Sequence, residues 1–473
     1  MKYETVIGLE IHSELLTRSK VFCSCENSFG GRPNTRICPI CTGMPETLPV
    51  LNQNAVKLAV KAGIALGCKI NSCSAFDRKN YFYPDLPKGY QITQQEYPIC
   101  ENGELTIGNK SYGIERIHIE EDAGKLLHGG ADGKTLVDFN RCGVPLIEIV
   151  TKPDFRSAEE VCSFVSEVCM RLKYAGVCSA RLEEGSVRVD VNISVRPENT
   201  EKLGERAELK NINSFKSITR AIEYETVRQI ELSERGGKVL QETRRFDEAS
   251  GRTFSMRNKE TANDYRYFPE PHIPPLYISE RQIEAIGKEM PQMPHERYQR
   301  YTKEYGLSAE EARLIVKDKS FSDFYDKTTA IIGEYKKTAN MMLGELNRFM
   351  NDSGKVLSQL RITPSLLARL IKLLSDGIIT NNGAKLLLVH VCETGESPQK
   401  AAEDKGLTIH ENQDELLEAC KKVLAENDKN VEAYRNGKTQ LFGFFMGQVI
   451  RMTGKGTNPE SVKKALETLL KQI

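Results

Sequence analysis

The sequence predicts an α+β protein: a large N-terminal part built on a mostly antiparallel sheet, followed by a helical remainder. Three observations carry this. Short runs of strict apolar–polar alternation recur over roughly the first 290 residues, V-R-V-D-V-N-I-S-V (187–195) among them. Between them stand helical segments with start and stop signals. Proline then thickens at P-E-P-H-I-P-P-L-Y (269–277) and M-P-Q-M-P (290–294), beyond which the signals are helical.

Taken in order, V-I-G-L-E-I-H-S-E-L (6–15) reads as a strand. Ile7, Leu9 and Ile11 share one face, and Glu10, His12 and Glu14 share the other. Two carboxylates and an imidazole so aligned cost stability unless something binds them, and a divalent cation with oxygen ligands is a common reason. Ser157 and Glu160 form a capping box for a helix that Gly176 ends. In 187–195, Val187, Val189, Val191, Ile193 and Val195 lie opposite Arg188, Asp190, Asn192 and Ser194. A second helix runs roughly 215–233 and stops at Gly236-Gly237. Past the prolines, Ser308 and Glu311 make another capping box, and Thr363-Pro364 opens a helix closed by Gly377. D-K-G-L-T, near 405, marks a further break. The expected domains are 1–292, 293–405 and 406–473. The end of the chain is basic: residues 434–473 carry seven Lys/Arg against Glu460 and Glu467.

Net charge is +1, so any nucleic-acid surface must be local. M-K-Y-E-T has no apolar run of a secretory signal. A-V-K-L-A-V-K-A-G-I-A-L-G is too short and too charged to span a bilayer, so no membrane partner is expected. Thirteen scattered cysteines then point to reduced thiols and a cytoplasmic location. No Walker loop or post-strand G-x-G-x-x-G is present, so a nucleotide site would be of another type.

Three constellations carry chemistry. Cys23-x-Cys25-x12-Cys38-x2-Cys41 has the spacing of a zinc knuckle, against the alternative of four unrelated thiols. Cys162 and Cys169, seven apart on one helix, read as core. The second constellation is acidic and dispersed: Glu10 and His12, then Glu120, Glu121 and Asp122, then Glu148, then Asp190. Glu148 lies within apolar V-P-L-I-E-I-V, where a lone carboxylate is expensive. Parity puts Glu120 with Arg116 and His118, and Glu121 with Ile117 and Ile119. Glu121 should therefore point inward, either into a site or past the strand's end. Third, F-D-R-K-N-Y-F-Y-P-D-L-P-K-G-Y-Q (76–91) interleaves cations with aromatics. It either holds phosphates and stacks a base or is a structural aromatic loop.

Eight motifs, in order between residues 6 and 275, resemble the B subunits of aspartyl/glutamyl-tRNA(Asn/Gln) amidotransferases, the GatB/GatE family, and the resemblance extends over the whole chain. They are V-I-G-L-E-I-H, F-D-R-K-N-Y-F-Y-P-D, H-I-E-E-D-A-G-K, N-R-C-G-V-P-L-I-E-I-V, E-E-G-S-V-R-V-D-V-N-I-S, E-L-K-N-I-N-S-F, Q-E-T-R-R-F-D-E and D-Y-R-Y-F-P-E-P-H-I-P-P. The resemblance implies a cradle-shaped N-terminal domain, a helical domain and a small helical tail like the YqeY family. It implies a carbon–nitrogen ligase that uses ATP and Mg2+ to phosphorylate the side-chain carboxylate of Glu-tRNA(Gln) or Asp-tRNA(Asn). Ammonia from glutamine then displaces phosphate. The implied partners are the amidase (glutaminase) member of the same complex, its small third member and the misacylated tRNA.

By motif position the resemblance implies that Glu10, His12, Glu121, Glu148 and Asp190 do metal and transfer chemistry. His12, Glu121 and Glu148 are the expected direct Mg2+ ligands, with Glu10 and Asp190 at a second ion or behind the first. Lys79, Lys88 and Arg188 are candidates for ATP phosphate or acceptor carboxylate, resting on charge and neighbourhood. Cys23, Cys25, Cys38 and Cys41 are the expected structural Zn2+ ligands. Lys438, Arg451 and Lys455 of the tail are expected on tRNA, with a solvated basic helix as the alternative. Two other readings compete: a stand-alone ATP-dependent amide ligase on a small carboxylic acid, and a zinc-stabilised tRNA scaffold without chemistry.

Overall fold

The computed structural model describes residues 2–128, 133–180, 182, 185–258, 265–409, 413–435, 437–453 and 459–472. The chain divides into two compact units, Met1–Pro294 and His295–Ile473.

The first unit is organised by a nine-stranded sheet. Its strands are β1 (Tyr3–Glu14), β2 (Lys69–Ile70), β3 (Cys100–Ile107), β4 (Lys110–Glu121), β5 (Pro145–Thr151), β6 (Val187–Pro197), β7 (Ala207–Lys210), β8 (Glu242–Asp247) and β9 (Arg252–Asn258). The spatial order is β9-β8-β7-β6-β1-β5-β4-β3-β2. Only β7 and β8 run parallel; the other neighbours are antiparallel, as the hairpin-like alternation predicts.

Alternation divides the faces. Ile7, Leu9, Ile11, Ile117, Ile119, Ile147, Ile149, Val189 and Val191 are all buried in one core. Three helices contribute to that core: α1 (Gln53–Ala65), α2 (Ala158–Tyr174) and α3 (Phe215–Glu234). Phe164 and Val168 of α2 and Ile218 and Ala221 of α3 are fully buried there. Removing this apolar surface from water, at about 25 cal/mol per Å², holds sheet and helices together. The capping at α2 is half of what the sequence predicts. Ser157 accepts from the Glu160 amide, but the Glu160 carboxylate accepts from the Arg156 amide and pairs with Lys110. A smaller sheet of Asp77–Asn80, Tyr90–Thr93 and Phe268–Pro269 brings the aromatic segment to the opposite, polar face of β4.

The second unit is helical among its described residues, from Pro294–Lys303 to Pro459–Gln472. The box of Ser308 and Glu311 forms in full, and Pro364 opens Pro364–Ser375 behind its Thr363 cap. Two separate cores lie here, one from Tyr301 to Leu407 and one from Cys420 to Leu469. Among the described residues, no helix is long and apolar enough to cross a membrane.

Candidate functional site

Residues directly opposite each other in neighbouring strands project to the same face. His12 on β1 lies opposite both Glu148 on β5 and Arg188 on β6. Glu148 lies opposite His118 on β4, Glu10 opposite Asp190, and Asn192 opposite Glu208 on β7. The polar residues of five strands thereby form the floor of a cavity of about 460 Å³. Tyr81, Tyr83 and Tyr265 line its walls.

Two groups of ligating side chains stand on this floor. His12, Glu120 and Glu148 offer atoms within 4.8 Å of one another, as do Glu10, Asp190 and Glu208. In the first group, His12 Nε2 is 3.5 Å from Glu120 and 3.4 Å from Glu148. His118 Nε2 holds the same Glu148 oxygen from the other side at 3.2 Å. Burial opposes charge on His12, but the Glu148 carboxylate, then Glu120 and Asp190, outweigh it and raise its pKa to about 9. Burial likewise works against Glu148, yet His118 and His12 hold its carboxyl well below the usual range. Glu120 is pushed up by burial and then by Glu148, and Glu10 by burial, Glu148 and Glu208. Negative charge is thus crowded, so that ionising Glu120 and Glu10 costs more than it would in water. An imidazole nitrogen with two carboxylates, in such a field, is a donor set that fits a hard divalent cation.

Cations surround the acids. Lys210 Nζ lies 2.6 Å from Asp190 and 3.0 Å from Glu208. Arg188 and Arg141 both hold Asp122 Oδ2, at 2.9 and 3.1 Å. Lys79 lies 4.9 Å from the Tyr265 ring centre and 5.7 Å from that of Tyr81. Burial disfavours its charge, but the electrostatic pull of Tyr267, then Glu120 and Glu148, raises its pKa.

Glu121 is elsewhere. Its carboxylate pairs with Lys88 and accepts from the Ile92 amide at 2.9 Å. It lines a separate cavity of about 90 Å³, shared with Lys88, Lys20, Cys23 and Cys41. The structure therefore differs from the ligand set expected by motif position: Glu120, not Glu121, stands beside His12 and Glu148. The reason is strand parity, which turns the two neighbours to opposite faces. Glu10, His12, Glu148, Lys79 and Arg188 come together on the cavity, with Asp190 grouped beside Glu10 and Glu208, while Glu121 and Lys88 do not join them.

The four cysteines do converge, with sulfurs within 4.8 Å of one another. Hydrogen bonding from Cys23, against burial, holds the Cys41 thiol down at about 4, while burial and Cys38 push Cys25 up to about 11. A tetrathiolate with one member already favouring the thiolate form fits Zn2+. In the tail, Lys438 and Arg451 are exposed, Arg451 in the last turn of Leu441–Thr453. Lys455 lies outside the described residues.

Reading of the sequence missed Glu208, Lys210, His118 and Arg141. For Glu208 and Lys210 the only local signal is the E-L-K spacing that puts them on one face, on a strand four residues long.

The sequence profile of the GatB/GatE catalytic domain matches residues 5–284, and that of the GatB domain matches 323–470. The chain is 50% identical over 480 residues to the B subunit of the aspartyl/glutamyl-tRNA(Asn/Gln) amidotransferase of Caldicellulosiruptor saccharolyticus, covering 100% of both chains. It is 49% identical to the protein of the same name in Thermoanaerobacter pseudethanolicus, covering 99% of each. The protein of that name in Clostridium tetani is 47% identical, with 98% of each covered.

Proposed function

The chain belongs to the GatB/GatE family, and we propose that it acts as the B subunit of a tRNA-dependent amidotransferase, working in the cytoplasm with an amidase partner and a small third partner. The substrate is a tRNA carrying glutamate or aspartate in place of its amide. An oxygen of the side-chain carboxylate attacks the γ-phosphorus of ATP, and ADP leaves. Ammonia, released from glutamine in the amidase partner, attacks the acyl carbon; phosphate leaves and the amide remains.

The observation that carries this is the His12–Glu120–Glu148 group on the cavity floor, with Lys79 in the wall beside it. His12, Glu120 and Glu148 would hold Mg2+, and Glu10, Asp190 and Glu208 form the second such group. Bound there, Mg2+ supplies positive charge to phosphate oxygens. His118 fixes the Glu148 carboxylate by its Nε2 contact. Lys79, whose ammonium has no ion-pair partner among the described residues, orients the acceptor carboxylate or a phosphate. Arg188 and Arg141, aligned by Asp122, face the same cavity and hold phosphate. Tyr81, Tyr83 and Tyr265 narrow the cavity against water. The cysteines hold a structural Zn2+, and the tail bears on tRNA. We further divide the chain at 292 and 405; the compact units that meet at Pro294 and His295 support the first boundary, and the separate cores ending at Leu407 and starting at Cys420 support one near the second.

The test is Glu148→Gln in the assembled complex. ATP-dependent phosphorylation of the misacylated tRNA should fall by at least about 100-fold, while tRNA binding persists. Unchanged turnover would overturn the catalytic assignment.

A further inference from the structure

The two ligating groups on the cavity floor are not equivalent. In the Glu10–Asp190–Glu208 group a cation is already present: the Lys210 ammonium lies 2.6 Å from Asp190 Oδ2 and 3.0 Å from Glu208 Oε1. Lys210 sits two residues from Glu208 on β7, so strand parity delivers both side chains to the same spot. The third carboxylate, Glu10, is held by the Asn192 amide at 2.9 Å, and the Oδ1 of Asn192 is buried with no partner among the described residues. The His12–Glu120–Glu148 group has no lysine or arginine within ion-pair distance among the described residues.

We propose that Lys210 is a tethered counter-ion that occupies the Glu10–Asp190–Glu208 group in place of a divalent cation, so that a second metal binds there only in competition with it. A metal at this group would need the Asp190 and Glu208 oxygens that the ammonium contacts, and like charges a few ångströms apart repel. The ammonium cannot diffuse away, because the strand backbone fixes its stem. Its local concentration is that of an intramolecular ligand. The three carboxylates remain an oxygen donor set for a hard cation once the ammonium swings aside. The first group is therefore the resident metal position and the second a conditional one. Lys210 is here a positioning residue, acting on metal occupancy.

This rests on the reading of the first group given above, and the experiment separates the two. Mn2+ is titrated into the assembled, nucleotide-free complex, with free Mn2+ read by electron paramagnetic resonance. The wild type should hold one tight Mn2+ per chain and a second at least about tenfold weaker. In Lys210→Met the second should tighten by at least about tenfold with the first unchanged, the unchanged first site reporting an intact fold. Lys210→Gln serves in the same way if the methionine variant does not fold. Lys210→Arg should keep the second site weak. Adding Asp190→Asn to Lys210→Met should abolish the gained site. Two equally tight sites in the wild type, or a second site that is unmoved or weakened in both neutral variants, would overturn the competition. A wild type without any tight site would instead strike the first group's assignment.

Discussion

Glu120 and Glu121 are neighbours in sequence with opposite fates. Glu120 projects with His118 to the polar face, where it meets His12; Glu121 pairs with Lys88 in the cavity beside the cysteines. Substitutions should part them. Glu120→Gln is expected to weaken Mn2+ binding at the first group by at least about tenfold, as equilibrium dialysis would measure. Glu121→Gln should leave that affinity alone and lower unfolding stability by about 3 kcal/mol, because it strands the buried Lys88 charge. Denaturant melts give that number; an Mn2+ affinity equally reduced in both variants would return Glu121 to the metal. The alternation rule already assigns Glu120 to the face of His118, so its place was legible. Glu208 was not: a strand four residues long is too short for alternation to stand out.

At the scale of elements, the cysteine loop is the clearest case. Between β1 and α1 almost no regular structure forms, and the segment is tied down by scattered bonds. The Lys20 amide donates to the Cys25 carbonyl and the Met44 amide to Pro39. Asn34 joins the loop to Asp138 and Val137. Leu15, Val21 and Phe22 anchor its start in the core, but Phe29, Met44, Leu48 and Val50 beyond them are exposed, so four thiols within 4.8 Å are a main means of fixing the stretch from Cys23 to Cys41. Protein prepared without chelator should contain about one zinc per chain by elemental analysis. Stripping the metal should make 23–41 the first site of proteolysis while the sheet's far-ultraviolet signal stays. Zinc content near zero would remove the assignment. Helix caps were equally legible, since a capping box is a local contract among four residues. The exception is instructive: Glu160 turned to Arg156 and Lys110, the latter fifty residues away.

For the whole molecule, net charge near zero hides a division of labour. Acids concentrate on the cavity floor of the first unit, and bases at the end of the second. If Lys438 and Arg451 contact phosphates, replacing both with alanine should weaken tRNA binding and make log Kd less steep against log salt by about 1 to 2 units. Filter binding at several salt concentrations measures this, and an unchanged slope would leave the basic helix merely solvated. The sequence by itself determined which face β1, the end of β4 and β6 bury, the caps of the helices that follow Ser157, Ser308 and Thr363, the cysteine quartet and the family. Those are properties of local periodicity, spacing and motif. Which carboxylates meet was decided by tertiary structure alone. Alternation fixes the face of a side chain, but its neighbours depend on strand order and register. His12 stands near the start of the chain, far in sequence from His118 and Glu148. The three meet because β1, β5 and β4 pack side by side over one apolar core.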